Sequence, residues 1–482
     1  MFPRFSPPPD VAMTRLFALV GVVYQSAAAI ILIFLLGRVL SPLAYATFSL
    51  TLASSQLLSV LMFEWLQLAG VRFLAAAADE DAARLRSSLF GAALLSALVL
   101  LVIGGLAASI VTPISTSVGF VGLALAVAQG ATDLHFMVVR VSHRLGAAAF
   151  LLILRATLMV GGATAGAWFY GTANAALLGM LGAQIASLIA GQLLHPQTLR
   201  KVPRPALLDD WGGFARYGML AAGASVLHLS VPVSIRFVVV SALGDAAPAV
   251  TAGFSMAIDL LQRPFAVLVA AIHTVNYPEV VHQFERGSAD DARASVAHLL
   301  DFIICATLVM LGGLIGFLPD AGQLFVPASI LASFLQTSAG AAFFYFMHCH
   351  LQSTLAIAPH LTKSATRLVV VALCQLLLVL AVAVPTQAIT GAPTYVLISA
   401  IVATAIVIVL ASGPMIRFGA PPRWGLVAAS VAGAVFIGAF SAVPSQTPVW
   451  LVVKIVVATA IVALLAWKGR FLEAAGSSRS DV

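Results

Sequence analysis

Apolar runs of roughly 18 to 25 residues, each long enough to cross a bilayer as an α-helix, follow one another along the whole chain with only short polar or Gly/Pro breaks between them. The runs lie near 16–37, 46–70, 88–111, 118–139, 148–170, 174–194, 216–241, 249–273, 296–318, 327–348, 364–385, 393–412, 426–443 and 449–467. The break at 348–363 is the least distinct. The pattern predicts an all-α polytopic membrane protein with about 14 transmembrane helices. A transmembrane β-barrel would show short alternating segments instead.

Lysine and arginine orient the spans. With the N-terminus inside, alternate loops carry Arg72, Arg84 and Arg86; Arg140 and Arg144; Arg200, Lys201, Arg204 and Arg216; Arg286 and Arg293; Lys363 and Arg367; Arg417 and Arg423. Lys468, Arg470 and Arg479 follow the last span, and the opposite side offers only Arg38. This one-sided distribution predicts an even number of spans and two cytoplasmic termini.

Composition agrees. Hydrophobic residues make up 61% of the chain and charged residues 9%, against about a quarter charged in soluble domains. The net charge of +7 is therefore a matter of topology, and no nucleic-acid partner is expected. Cys305, Cys349 and Cys374 sit in apolar runs without metal or redox spacing and are expected to be small buried residues. The run after Arg15 is too long for a typical cleavable leader and is read as a retained first span, with Met13 an alternative start. No loop is long enough to fold as a catalytic domain. The stretch from Val275 to Leu300 is expected to be an amphipathic inner segment with a solvated charged face.

An internal repeat is visible. "SPLAYATFSLTLASSQLL" (41–58) sets against "APAVTAGFSMAIDLLQRP" (247–264), matching Pro42 with Pro248, Ala46 with Ala252, Phe48 with Phe254, Ser49 with Ser255 and Gln56 with Gln262. Both stretches follow a long span, cross a short outer turn and enter the next. The expected organisation is two pseudo-symmetric six-helix lobes with two C-terminal helices appended. It comprises a tail (1–15), a first lobe (16–194), a linker (195–215), a second lobe (216–385, completed by 393–412), the appended pair (426–467) and a second tail (468–482).

The segment "LLGRVLSPLAYATFSLTLASSQLLSVLMFEWLQLAGVRFLA" (35–75) resembles the first hairpin of the oligosaccharide and polysaccharide (O-antigen-type) flippases. These belong to the multidrug/oligosaccharidyl-lipid/polysaccharide exporter superfamily. The likeness rests on a basic residue followed by Leu-x-Pro at the first outer turn, Phe48 opening the second span, and "VRF" leaving it. "YPEVVHQFERG", at the exit of the eighth span, is similar to the second-half equivalent. The resemblance implies translocation of undecaprenyl-diphosphate-linked sugars by alternating access in a bacterial inner membrane. It implies lipid-linked oligosaccharide and membrane lipids as partners, with a polysaccharide polymerase and glycosyltransferases working alongside. The chain departs from the lipid II branch, whose first span carries arginines, since 16–37 holds none.

Charges within the apolar runs are the candidate site, because a buried charge in lipid faces a bundle interior or a wet cavity. Arg263 and Asp259 fall near mid-membrane on the eighth span, and Arg236 in the outer part of the seventh. A guanidinium suits a diphosphate, since its planar fork donates paired hydrogen bonds and stays charged. Arg236, Arg263 and Arg155 are the expected headgroup residues. Asp259, Glu64 and Asp133 are the expected ion-coupling or gating residues, with protons or sodium as the drive and no cofactor or metal. Asp259 and Arg263, at i and i+4, equally suit a mutually neutralising pair. Asp133 and Arg155 fall at similar depth on antiparallel helices, with Glu64 close to that level, and suit a salt bridge or an entry site. Pro264 is expected to kink its helix. His348 and His350 point to different faces, while Asp301 and Lys454 are expected to snorkel from span ends. An ion-coupled drug exporter of the same superfamily is the alternative, and a membrane enzyme of polysaccharide assembly a more distant one.

Overall fold

The computed structural model describes residues 9–75, 79–109, 114–142, 145–195 and 211–471. Among these, every regular element is helical. Among the described residues thirteen helices are long and apolar enough to cross a membrane, and Val23–Val39 is a further, shorter apolar helical segment. The expected linker residues 196–210, and parts of both expected tails, lie outside the described residues.

The chain divides into two compact units, Met1–Asp245 and Ala246–Val482. The first contains α1 (Pro9–Val39), α2 (Pro42–Ser59), a π-helical turn (Val60–Glu64), α3 (Trp65–Ala75), α4 (Asp79–Ala108), α5 (Thr116–Val141), α6 (Leu145–Tyr170), α7 (Ala173–Leu194) and α8 (Trp211–Leu243). The second contains α9 (Pro248–Arg286), α10 (Ala289–Phe325), α11 (Ala328–Gln352), the short α12 (Ile357–Leu361), α13 (Ala365–Thr390), α14 (Pro393–Ala411), the short α15 (Gly413–Phe418), α16 (Trp424–Ser441) and α17 (Pro448–Gly469). The unit boundary falls one span later than the lobe boundary read from the sequence, because α8 packs on α2 and α3.

Helix ends follow local chemistry. Pro42, Pro248, Pro393 and Pro448 open their helices at a position where the missing N–H costs nothing. Ser41, Thr172 and Thr447 each accept a first-turn backbone N–H through the side chain. The segment 275–300 is resolved into the end of α9 and the start of α10, separated by Gly287 and the Ser288–Asp291 capping box. Its apolar face, including Val280, Val296 and Leu300, packs with Ile357 of α12 and Met415 of α15. The indistinct break at 348–363 is thus occupied by α12.

The two halves of the repeat, counted from α1 and from α8, show the same four pairings. The second span packs on the fourth (α2 on α5, α9 on α11) and the third on the fourth (α4 on α5, α10 on α11). The fourth packs on the sixth (α5 on α7, α11 on α14) and the fifth on the sixth (α6 on α7, α13 on α14). The matched residues Ala46, Phe48 and Ser49, with Ala252, Phe254 and Ser255, are all buried.

The appended pair α16–α17 is bound to α10 in two ways. Gly312 and Gly316 lie against Ala434 and the Ile437–Gly438 backbone of α16, so a side chain at either glycine would collide with the partner helix. Close approach through small residues four apart is how helices associate where lipid removes the hydrophobic drive. Two ion pairs add to it, one buried on both sides and one between buried Asp301 and exposed Arg423. Lys454 is wholly buried and donates to Asp320 at 2.9 Å and to the Ser441 carbonyl at 3.1 Å, while Ser445 donates its hydroxyl to Asp320 at 3.1 Å. At the other end Asp301 accepts the Arg423 backbone N–H at 2.8 Å and its Nε at 2.6 Å, and Arg423 also donates to the Gly469 carbonyl at 3.0 Å. With about 1.5 Å rise per residue, the two acids lie about 28 Å apart along α10, close to the ~30 Å hydrocarbon thickness. Lys454 and Asp301 are both buried: Lys454 meets Asp320 on the neighbouring α10, and Asp301 is met by exposed Arg423 at the start of α16. The cysteine expectation holds for Cys305 and Cys349, whereas Cys374 is exposed on α13.

Breaking one partner strands a buried charge. Asp320→Ala is expected to destabilise the protein by about 3–5 kcal/mol, read as a lower melting temperature in detergent. The double change Asp320→Leu with Lys454→Met is expected to recover most of that loss.

Candidate functional site

In the first unit the intramembrane charges are distributed over three contacts. The first joins α5 to α6. Arg155, 5% exposed, donates through its Nη1 to the Asp133 carboxylate. The Asp133 side chain keeps 29% of its surface exposed against 6% for Arg155, so the acid is the open member of the pair. The similar depth expected for the two residues is therefore realised as a direct contact.

The second contact joins α2 to α8. Arg236 is 2% exposed and donates Nη1 to the Ser49 carbonyl at 3.1 Å. Ser49 is one of the residues matched in the repeat. A guanidinium at this depth is stabilised by a helix carbonyl, which retains a second lone pair after its own helical bond. In the third contact, Glu64 ends the π-helical turn, which packs against α8, and is half-buried. The adjoining Phe63 packs on Gly130 of α5, one turn before Asp133, which keeps Glu64 near the expected level.

In the second unit Asp259 and Arg263 are both half-buried on α9, and each engages neighbouring groups. Helix α9 continues unbroken through Pro264 and Pro278 to Arg286. Arg155, Asp133, Glu64 and Arg236 thus belong to the first unit, and Asp259, Arg263 and Pro264 to the second.

A polar network passed over by a search for charges occupies the second unit. His348 on α11 lies 2.8 Å from the Gln375 amide nitrogen on α13, and that amide donates to Thr404 of α14 at 3.2 Å. The Gln352 amide nitrogen reaches the other ring nitrogen of His348 at 2.6 Å. His350 faces the opposite way, 3.0 Å from the Thr307 hydroxyl of α10, as its spacing from His348 requires. Among the described residues no His, Cys, Asp or Glu cluster suits a metal ion. Gln375 is the eleventh residue of the 26-residue α13, and Arg155 the eleventh of the 26-residue α6. The two halves of the repeat therefore link their fourth and fifth spans at corresponding heights, one by an ion pair and one by a neutral network. The signal available in the sequence was a glutamine in the middle of an apolar run.

No protein-family model matches the chain, and no curated protein matches it either. Solved structures do. The lipid II flippase MurJ in an inward closed conformation matches with a TM-score of 0.71 at 11% identity, covering 95% of this chain and 99% of the flippase. An inward-facing multidrug resistance MATE family transporter of the MOP superfamily matches at 0.62 and 12% identity, covering 84% and 98%. A MOP superfamily transporter from Pyrococcus furiosus, described as having a binding pocket of reversed polarity, matches at 0.55 and 13%, covering 84% and 96%. At these identities the likeness is one of fold. The chain has a fold found in membrane transporters of this superfamily, and all three neighbours are transporters rather than enzymes.

Removing the Arg155 guanidinium leaves Asp133 without its cation in an apolar bundle. Arg155→Ala is expected to lower the melting temperature more than Asp133→Asn does, and the double variant to fall short of the sum. A double-mutant cycle in detergent measures that coupling, expected between about 0.5 and 3 kcal/mol.

Proposed function

We propose that this protein is a flippase that carries an undecaprenyl-diphosphate-linked oligosaccharide from the inner to the outer leaflet of the bacterial cytoplasmic membrane, by alternating access. The product would serve assembly of a surface polysaccharide such as O-antigen, capsule or exopolysaccharide. The observation that carries the reading is the extent of the fold match. The likeness to a lipid-linked-substrate flippase spans 95% of the chain, against 84% for the MATE transporter. The difference is roughly one helical hairpin, the length of the appended pair α16–α17.

Chemistry adds support. Arg236 and Arg263 keep a permanent positive charge at membrane depth, and a guanidinium fork is matched to diphosphate oxygens. Arg155 belongs to the same headgroup set, with Asp133 as the counter-ion it would exchange for a phosphate. Asp259, Glu64 and Asp133 form the coupling set for a proton or sodium gradient. A cationic drug would favour an acidic, aromatic cavity, whereas this set carries arginines. The first span holds no arginine between 16 and 37, which favours a glycan carrier other than the peptidoglycan precursor. The concentration of Lys and Arg at alternate loops supports cytoplasmic placement of both termini.

In a strain lacking the native gene, Arg263→Ala and Arg236→Ala are expected to abolish surface polysaccharide while the protein stays in the membrane at normal level. Glycan display by electrophoresis, with a membrane immunoblot, reads both. Normal glycan in both variants would overturn the headgroup assignment. Drug sensitivity that rises on deletion, with glycan unchanged, would favour the exporter instead.

A further inference from the structure

Both ring nitrogens of His348 meet glutamine amides. The Gln375 amide nitrogen lies 2.8 Å from Nδ1, and the Gln352 amide nitrogen 2.6 Å from Nε2. His348 is 5% exposed, and Gln375 and Thr404 are wholly buried. Gln352, the last residue of α11, is exposed. The four side chains therefore form a line from an exposed helix end into the contact between α11, α13 and α14.

Imidazole chemistry limits how this line is bonded. A neutral ring accepts at one nitrogen and donates at the other, so two amide N–H groups cannot both serve it. Thr404 decides which glutamine donates. The Gln375 amide donates to the Thr404 hydroxyl at 3.2 Å, and its second N–H meets Nδ1. Nε2 then carries the ring proton, and Gln352 turns its carbonyl oxygen to receive it. A side-chain amide rotated by half a turn exchanges its donor and acceptor ends.

The same side chains serve a charged ring. Gln375 turns its oxygen to the new Nδ1–H, and the Thr404 hydroxyl donates to that oxygen, which has two lone pairs. Gln352 keeps its place at Nε2. Each ring nitrogen thus has a partner in both charge states. Phe344, one turn earlier on α11, stacks on the ring at 5.4 Å and 17°. An aromatic face attracts a cation at that distance.

We infer that His348 is a proton-binding site of the second unit, alternating between neutral ring and imidazolium while Gln375 and Thr404 reverse the direction of their hydrogen bonds. The site lies outside the acid coupling set proposed above and does not depend on the cargo. Register along α11 follows from the Phe265–Phe346 ring contact to α9, the His350–Thr307 bond to α10 and the Gly340–Leu397 contact to α14. Within about two turns of the His348 level, the charged and titratable groups are Asp259, Arg263 and His273 on α9, Cys305 on α10 and Cys374 on α13, besides Tyr345, Cys349 and His350 on α11 itself. Helix α14 offers Tyr395, farther off. His350 is turned to Thr307, Asp259 and Arg263 engage neighbouring groups, and the Tyr345 ring meets that of His348 edge-on at 6.4 Å.

The proton itself is the probe. Nuclear magnetic resonance of the full chain in detergent, with isotope-labelled histidine, separates neutral from charged rings by their nitrogen shifts. The expected result is a ring that charges reversibly as pH falls from about 8 to 5, its signal absent from His348→Gln. Gln375→Leu takes the acceptor from the charged ring. Charge-assisted bonds are the stronger ones, so the midpoint is expected at roughly tenfold higher proton concentration. Gln375→Glu supplies an anion and is expected to move the midpoint about tenfold the other way. Opposite movements of one signal identify the ring even where His348→Gln fails to fold. A His348 ring that stays neutral across this range, or midpoints indifferent to both Gln375 variants, would overturn the proposal. Discovery of a different cargo would strike the flippase reading and leave this titration standing.

Discussion

The structure depends on the absence of water from the hydrocarbon layer. A backbone N–H or C=O without a partner there costs several kcal/mol, so each span closes its own hydrogen bonds as a helix. The same constraint governs side chains. An isolated charge at this depth is expensive, and the intramembrane ions accordingly have partners. Arg155 meets Asp133, Lys454 meets Asp320, Asp301 meets exposed Arg423 at the start of α16, and Arg236 reaches the Ser49 carbonyl. Where the chain departs from regular helix inside a span, at Val60–Glu64, an indole donor stands beside the irregular turn.

Because lipid tails are as apolar as the side chains, burial alone does not choose which helices touch. Shape and polar contact choose. The α10–α16 contact combines both, with glycines on one helix fitting the backbone of the other and an ion pair at each end of the hairpin. Pairs placed at both ends resist sliding as well as separation, so the hairpin and α10 are expected to move as one piece.

The repeat gives two units with the same internal pairings and different polar contents. Four helix pairings recur, and the repeat residues Phe48 and Phe254 are buried in both units. Between the fourth and fifth spans the first half of the repeat holds a charged pair and the second half a His–Gln–Thr network. The π-helical turn belongs to the second span, whereas its counterpart α9 is α-helical throughout its length. Shared packing thus leaves room for the halves to carry separate chemical tasks.

Span number and helix class were legible in the sequence, because an apolar run of sufficient length has one low-energy solution in a bilayer. The contact between Asp133 and Arg155 was also within reach, since two antiparallel neighbours joined by a short turn bring equal distances from that turn together. Other features depended on contacts between residues far apart in the chain. Lys454 and Asp301 read as surface-seeking charges until the helices bearing Asp320 and Arg423 were seen beside them. His348 gained a role only with Gln375 and Thr404. The π-helical turn has no composition of its own, since "VLMFE" fits an ordinary helix. It lies where Gly130 and Gly218 leave space on two neighbouring helices for the residues on either side of Glu64.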